Sequence, residues 1–155
     1  IDELWHRGNY EEIFSLLNFL TFISPNDQQA WTLGGWFLIN AIAPKYNNEK
    51  RKEIEEYGVE FLKKGIVQNP ESSEIYWEIA WFYYTKDEYK KALEYVNLAE
   101  KFASDYKVKS LKGHILIKMG NNQEAIMVWE EIREKFPEYK NVADRIINNI
   151  KENKN

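Results

Sequence analysis

Few side chains in this sequence have the type and spacing that catalysis requires. His114 lies four residues before Lys118, which would place an imidazole and an ammonium on one helical face. A general base also needs an orienting partner and a converging acid or nucleophile, and no Ser-His-Asp-like set accompanies this pair. We therefore predict that the protein is not an enzyme. Paired carboxylates are predicted to lie on outer helix faces as solvating charge: Glu11/Glu12, Glu55/Glu56 and Glu130/Glu131.

The composition argues against several kinds of site. The 155 residues include no Cys and two His, so thiolate chemistry is excluded and a histidine metal centre is disfavoured. No GxxxxGK[ST], GxGxxG or HExxH string occurs, and we predict no cofactor. The net charge of −4 argues against general nucleic-acid binding, which usually brings a basic patch. The basic stretch at residues 47–52 has the composition of a solvated hairpin, which we favour over a contact with an acidic surface.

Two features bear on location. The longest apolar region, residues 31–43, is too short to cross a bilayer and stops at Pro44, so no membrane insertion is predicted. The opening residues 1–5 lack the basic start and apolar stretch of a secretory signal, which favours a cytoplasmic location. The first predicted helix, near residues 2–7, begins in the middle of its pattern, so we expect the native chain to continue upstream.

Self-comparison of the sequence reveals a repeat. In four segments a residue is followed four and seven places later by two others on the same helical face. From Pro70 to Pro137 is 67 residues, or two periods, whereas Pro25 to Pro70 is 45, one period with an insertion of about 11. Small residues dominate the ends of these triples, which lets a neighbouring helix approach closely there. The four triples are Ile13/Leu17/Leu20, Gly58/Leu62/Gly65, Ala92/Val96/Ala99 and Ala125/Trp129/Ile132.

A second helix with large, small and large residues on one face precedes each of the last three segments. The clearest copy runs through residues 76–83 and then 89–99. This pattern resembles the tetratricopeptide repeat, W-x2-L-G-x2-Y…A-x3-F…P over about 34 residues. The resemblance covers roughly residues 1 to 137. The departures are Ile13 and Gly58 in place of Ala, Ser104 in place of Pro, and Lys109 in place of the first aromatic residue.

The resemblance implies an all-α fold, a right-handed superhelical stack of antiparallel helix pairs. We predict a single domain with a partial repeat at 1–27 and a repeat at 28–72 that carries an insertion near 43–53. Further repeats are predicted at 73–105 and 106–139, with a C-terminal capping helix at 140–152. The insertion is predicted to lengthen one helix pair into a hairpin, with a mobile loop as the alternative. Asp27 and Ser72 are predicted helix N-caps, and Gly120 a helix stop.

One face of the first helix in each pair is a candidate binding surface. In the predicted helix at 27–43, Thr32, Trp36 and Asn40 form a polar stripe, so we expect Trp36 to be at least partly exposed. Trp5 and His6 lie near this face in the first repeat. The equivalent positions of the later repeats are Trp77, Trp81, Tyr84, His114 and Lys118.

In tetratricopeptide-repeat proteins this face lines a concave groove that holds ligands. The resemblance therefore implies partner contacts at Trp36, Asn40, Trp77, Trp81, Tyr84, His114 and Lys118. Trp and Tyr supply large contact areas with few rotors to freeze. We predict a protein-binding scaffold or adaptor for an apolar peptide or helix. The alternatives are homo-oligomerisation through the same aromatic surface and, less favoured, a regulatory domain appended to an enzyme.

The family's pocket for a C-terminal carboxylate is not predicted here. In related proteins that pocket uses Lys, Asn and Arg side chains from three successive repeats. Of the matching positions only Lys107 fits, because the others hold Thr32, Trp36, Glu78 and Leu111. An aromatic groove with few charges indicates an apolar partner whose binding depends little on salt.

Overall fold

The computed structural model describes residues 9–152, and helices account for most of them. The first half contains α1 (Tyr10–Ile23), α2 (Gln28–Trp36), a π-helical segment (Phe37–Ile42), a short 3₁₀ turn (Ala43–Lys45) and α3 (Asn48–Gln68). The second half contains α4 (Ser73–Thr85), α5 (Tyr89–Phe102), α6 (Tyr106–Lys118), α7 (Asn122–Lys135), a 3₁₀ turn (Pro137–Tyr139) and α8 (Lys140–Glu152). No strand occurs between residues 9 and 152, and the predicted all-α fold is confirmed. The predicted helix at 2–7, with Trp5 and His6, lies outside the described residues.

Local sequence explains where several helices begin and end. The Asp27 carboxylate accepts hydrogen bonds from the first backbone N–H groups of α2 at 3.0 and 3.2 Å, as its predicted N-cap role requires. Ser72 is buried before α4, and its hydroxyl accepts the Ile75 N–H at 3.4 Å. Gly120 follows α6 with a φ of 77°, a left-handed conformation that glycine adopts without strain.

The chain forms two compact units whose boundary lies inside α4, between Ile79 and Ala80. In the first unit, α2 and the π-helical segment contact both α1 and α3. The approach of α2 to α3 is close, because a Cβ atom added to Gly35 would lie 2.4 Å from Leu62. Ile13 and Leu17 of α1 are buried with Phe37 in the core of this unit. The small and apolar positions of the repeat pattern are therefore packing positions here.

In the second unit each helix from α5 to α8 contacts its neighbour in the sequence. Two of the triples found in the sequence, Ala92/Val96/Ala99 and Ala125/Trp129/Ile132, are completely buried. The last helix, α8, has apolar residues on one side only and packs that side against α7. It therefore covers the core that α7 would otherwise expose. The residues it buries are Ala143, Ile147 and Ile150.

The predicted helix at 27–43 is interrupted. Its backbone leaves the α-helical pattern after Trp36 and continues through the π-helical segment at Phe37–Ile42. Opposite this segment stands Gly58 of α3, where an added Cβ would lie 2.7 Å from the Ile39 side chain. A π-helix widens the turn by one residue, and hydrophobic periodicity does not distinguish it from an α-helix.

The insertion supplies the first turns of α3, which begins at Asn48. Its basic side chains form ion pairs along the same helix: Lys50 with Glu53 at 3.0 Å, and Arg51 with Glu55 at 2.8 Å. Glu55 is buried, so the expectation that this carboxylate is simply solvated is wrong. Its charge is instead compensated by the guanidinium one turn earlier.

Candidate partner-binding surfaces

Trp36 and Asn40 are two predicted contact residues of the first unit. Trp36 ends α2, is half-buried, and packs at 5.4 Å and 89° against Phe37 of the core. Asn40 is exposed, and its side-chain amide donates a 3.2 Å hydrogen bond to the Trp36 carbonyl oxygen. One side of the indole is thus fixed by packing, while the neighbouring amide remains accessible to solvent.

Thr32, one turn before Trp36, is buried, and the expectation that it lies in a water-facing stripe is wrong. Its hydroxyl donates a 2.7 Å hydrogen bond to the Gln28 carbonyl oxygen, so the helix itself satisfies the side chain. Thr32 nevertheless borders a cavity of about 520 Å³ that no pattern in the sequence predicts. The other residues that line this cavity are Gln28, Gln29, Leu33 and Glu74.

Trp81 and Tyr84 form an aromatic pair in the second unit. The Trp81 residue is 39% exposed, and its ring centroid lies 5.6 Å from that of Tyr84 at an angle of 32°. The Tyr84 ring in turn lies 6.0 Å from that of Tyr89, whose hydroxyl donates to the Asp87 carboxylate. Burial and the nearby Asp87 charge raise the pKa of Tyr84. The result is a cluster of neutral rings at the surface.

Tyr89 and Asp87 were missed as part of this cluster. Asp87 has a φ of 59°, a left-handed conformation in the turn between α4 and α5. This turn brings the beginning of α5 back to Tyr84. The short Asp-Glu-Tyr sequence after α4 is the signal that could have been used, since Asp tolerates this conformation in turns.

The remaining predicted contact residues are Trp77, His114 and Lys118. Trp77 is half-buried in the part of α4 that belongs to the first unit. His114 and Lys118 are exposed on α6 of the second unit. Although the residue as a whole is exposed, the His114 ring packs edge-on against the buried Trp129 at 5.1 Å, and this partial burial lowers the pKa of its imidazole. His114 is therefore predominantly uncharged at neutral pH.

These surfaces offer ring faces and hydrogen-bonding groups. Between residues 9 and 152 no cluster of three His, Cys, Asp or Glu side chains could hold a metal ion. Within the same range, none of the helices combines the length and the apolar character needed to cross a membrane.

The structure is similar to solved repeat proteins. TTC0263, a thermophilic TPR protein of Thermus thermophilus, superposes with a TM-score of 0.75 over 92% of this chain and 73% of its own, at 17% identity. The chain has the tetratricopeptide-repeat fold. Two structures of MamA, both 19% identical in sequence, also superpose over 99% of this chain. The first has a TM-score of 0.75 and is covered over 83% of its own length, and the second has a TM-score of 0.74 and is covered over 78%. Comparison of the sequence with protein-family models and with curated proteins finds no match.

One departure from the repeat pattern, Lys109, has a structural explanation. Lys109 occupies a position that is usually aromatic, and it is buried. Its ammonium is held between two carboxylates, Glu100 at 3.0 Å and Glu131 at 2.7 Å. Sequence reasoning missed this cluster and assigned Glu131 to the solvated surface, whereas its side chain, 35% exposed, pairs with the buried Lys109. A lysine at a core position with glutamates on both neighbouring helices is the signal that could have revealed it.

Proposed function

We propose that this tetratricopeptide-repeat chain is a non-catalytic scaffold that binds an apolar peptide or helix of a partner protein. The observation that carries the proposal is the aromatic pair of Trp81 and Tyr84 at the surface of the second unit. A large ring that remains accessible in the free chain gains burial only when a partner covers it. The proposed contact residues are Trp36, Asn40, Trp77, Trp81, Tyr84, His114 and Lys118.

The energetics favour an apolar partner. Trp81 rests on Tyr84, and Tyr84 on Tyr89, so these rings lose little freedom on binding. His114 is largely uncharged at neutral pH and adds a further flat surface. Asn40 in the first unit and Lys118 in the second would each supply a polar contact. Because burial of rings dominates, binding would depend only weakly on salt.

The fold of the solved relatives supports the same class of function by analogy. TTC0263 is described as a TPR protein, and repeats of this kind build extended surfaces from rigid helix pairs. Fold alone does not define function, so the proposal depends on the exposed rings.

The decisive experiment compares two aromatic truncations on the second unit. Trp81→Ala removes the proposed contact, whereas Phe102→Ala removes a ring of similar exposure, 44%, outside the proposed set. A partner isolated with the wild-type chain is titrated against both variants by calorimetry. We expect Trp81→Ala to weaken binding by more than about 2 kcal/mol, as at interface hot spots, and Phe102→Ala to have little effect. Equal losses would reject the site, provided that both variants keep the wild-type thermal stability.

Self-association is a second candidate, and it is supported by α1. Leu16, Phe19 and Ile23 lie on one side of this helix and are all exposed. Exposed apolar stripes of this kind commonly mark protein interfaces. Light scattering over a concentration series distinguishes the two candidates: a monomer at high concentration rejects self-association, and a dimer that resists dilution favours it. Phe19→Asp would then dissociate the dimer.

A further inference from the structure

A second cavity lies in the first unit, and none of the proposed aromatic contact residues lines it. It has a volume of about 340 Å³, opens to solvent, and is bounded by α1, the π-helical segment and α3. Its apolar surface is formed mainly by Phe14, Leu38, Ile42 and Tyr57, and its rim carries Glu11, Ser15, Lys50 and Glu53. The volume lies at the lower end of the range for ligand pockets, which start at about 300 Å³.

Two irregularities of the repeat meet at this cavity. The π-helical segment supplies Leu38 and Ile42, and the insertion that lengthens α3 supplies Lys50 and Glu53. Neither feature belongs to the repeat pattern by which the helix pairs stack. Single-turn π-helices are frequent at functional sites. Their convergence on one concave surface indicates a binding site.

The charges at the rim indicate what the site would accept. Glu53 is paired with Lys50 at 3.0 Å, whereas the Glu11 carboxylate has a longer contact, 3.5 Å, with Lys45. The Lys45 ammonium is also engaged by the Tyr10 ring, 4.5 Å from its centroid. Glu11 is exposed beside the apolar surface, so it can accept a hydrogen bond from an incoming cation.

We propose that this cavity binds a large apolar side chain followed by Lys or Arg in a partner polypeptide. The ring or branched side chain fills the apolar surface, and the basic side chain pairs with Glu11 at the rim. Because the cavity opens to solvent, the partner backbone can continue past it. The site shares no residue with the proposed aromatic contacts, so either can fail without the other.

The test uses a minimal probe and nuclear magnetic resonance of the full chain. The acetylated, amidated dipeptide Trp-Lys is titrated into isotope-labelled protein, with Trp-Glu and Gly-Lys as matched dipeptides. We expect Trp-Lys to shift the amide signals of Leu38, Ile42 and Tyr57. The Trp-Glu and Gly-Lys dipeptides are expected to bind several-fold more weakly, because each lacks one of the two recognised groups.

Two variants and one control locate the binding. Glu11→Gln removes the rim charge and should raise the Kd for Trp-Lys about twofold to fivefold, the effect of one exposed ion pair. Glu12→Gln is the matched control, since Glu12 is also exposed in the first turn of α1 but does not line the cavity. Ser15→Phe fills the mouth and should abolish the shifts. The proposal is overturned if Trp-Lys shifts none of these signals, if Trp-Glu binds equally well, or if Glu11→Gln and Glu12→Gln behave alike.

Discussion

The Lys109 ammonium lies 2.7 Å from the Glu131 carboxylate, and its side chain is only 4% exposed. A second carboxylate, Glu100, completes the site at 3.0 Å. Two further lysines compensate these carboxylates, Lys112 on Glu100 and Lys135 on Glu131, each at 2.6 Å. Three consecutive helices, α5, α6 and α7, are thus joined through one buried charge. Because each glutamate has a second lysine partner, whereas within residues 9–152 Lys109 pairs with the two glutamates only, loss of the lysine and loss of the carboxylates should have different effects on stability.

Replacing Lys109 should lower the free energy of unfolding only slightly, whereas removing the charges of both Glu100 and Glu131 should lower it substantially. Lys109→Met keeps the volume of the side chain and leaves each glutamate with another lysine. We expect the free energy of unfolding to stay within about 1 kcal/mol of wild type. Glu100→Gln combined with Glu131→Gln leaves a buried ammonium uncompensated and should cost about 3 kcal/mol. Urea denaturation of both variants tests this order, and the reverse order would contradict it.

The same cluster should make stability sensitive to acid. Burial alone would raise the pKa of Glu100, but the hydrogen bonds from Lys112 and Lys109 outweigh it and lower that pKa. Hydrogen bonds from Lys109 and Lys135 lower the pKa of Glu131. The stabilisation is therefore complete above the ordinary pKa of 4.5 and is lost as pH falls through the lowered values of the folded state. Urea midpoints measured across the acid range should fall less steeply in the double Gln variant.

Gly113 should not tolerate a methyl group. A Cβ atom at this position would lie 2.5 Å from Nε1 of the buried Trp129. Ala favours a helix by about 1 kcal/mol over Gly. Overpacking typically costs about 1 to 3 kcal/mol, so we expect a net loss of stability for Gly113→Ala. In a Trp129→Phe background, Gly113→Ala should reduce stability less, because the smaller ring leaves room for the added methyl group. If the loss of stability is the same in both backgrounds of this double-mutant cycle, the steric explanation is refuted.

Gly120 should respond differently, because its constraint is in the backbone. No atom lies within 4 Å of an added Cβ, but the φ of 77° is unfavourable for most residues. Gly120→Ala should therefore cost about 1 kcal/mol. Gly120→Asn should cost less, since Asn tolerates this conformation. Thermal denaturation of the two variants measures the difference, and equal costs would argue against a backbone origin.

His114 should titrate below its ordinary pKa of 6.5, because burial against Trp129 disfavours the charged imidazole. Its effect on stability follows from the sign of that shift. The unfolded chain binds the proton more readily, so stability falls as pH drops below 6.5. Nuclear magnetic resonance titration measures the pKa directly, with His114→Gln assigning its signal against that of His6. A pKa at or above 6.5 would contradict the packing explanation.

Much of the fold could be predicted from local patterns. The spacing of Ala92, Val96 and Ala99 defines a buried helix face because an α-helix returns to the same side every three to four residues. The aromatic candidates could also be selected by type and face. Their accessibility could not, since Trp77 and Trp81 lie one turn apart on α4 and yet the first is half-buried and the second exposed.

The sequence by itself determined the helices, the repeat and the faces that pack, because these depend on contacts between residues close in the chain. Only the tertiary structure decided which charged side chain is buried and where a cavity lies between the helices. Lys109 is buried because carboxylates from two other helices meet it, and the cavity beside Leu38 exists because a π-helical turn and an inserted helical extension come together. Both outcomes depend on the distances between packed helices, which no periodicity encodes.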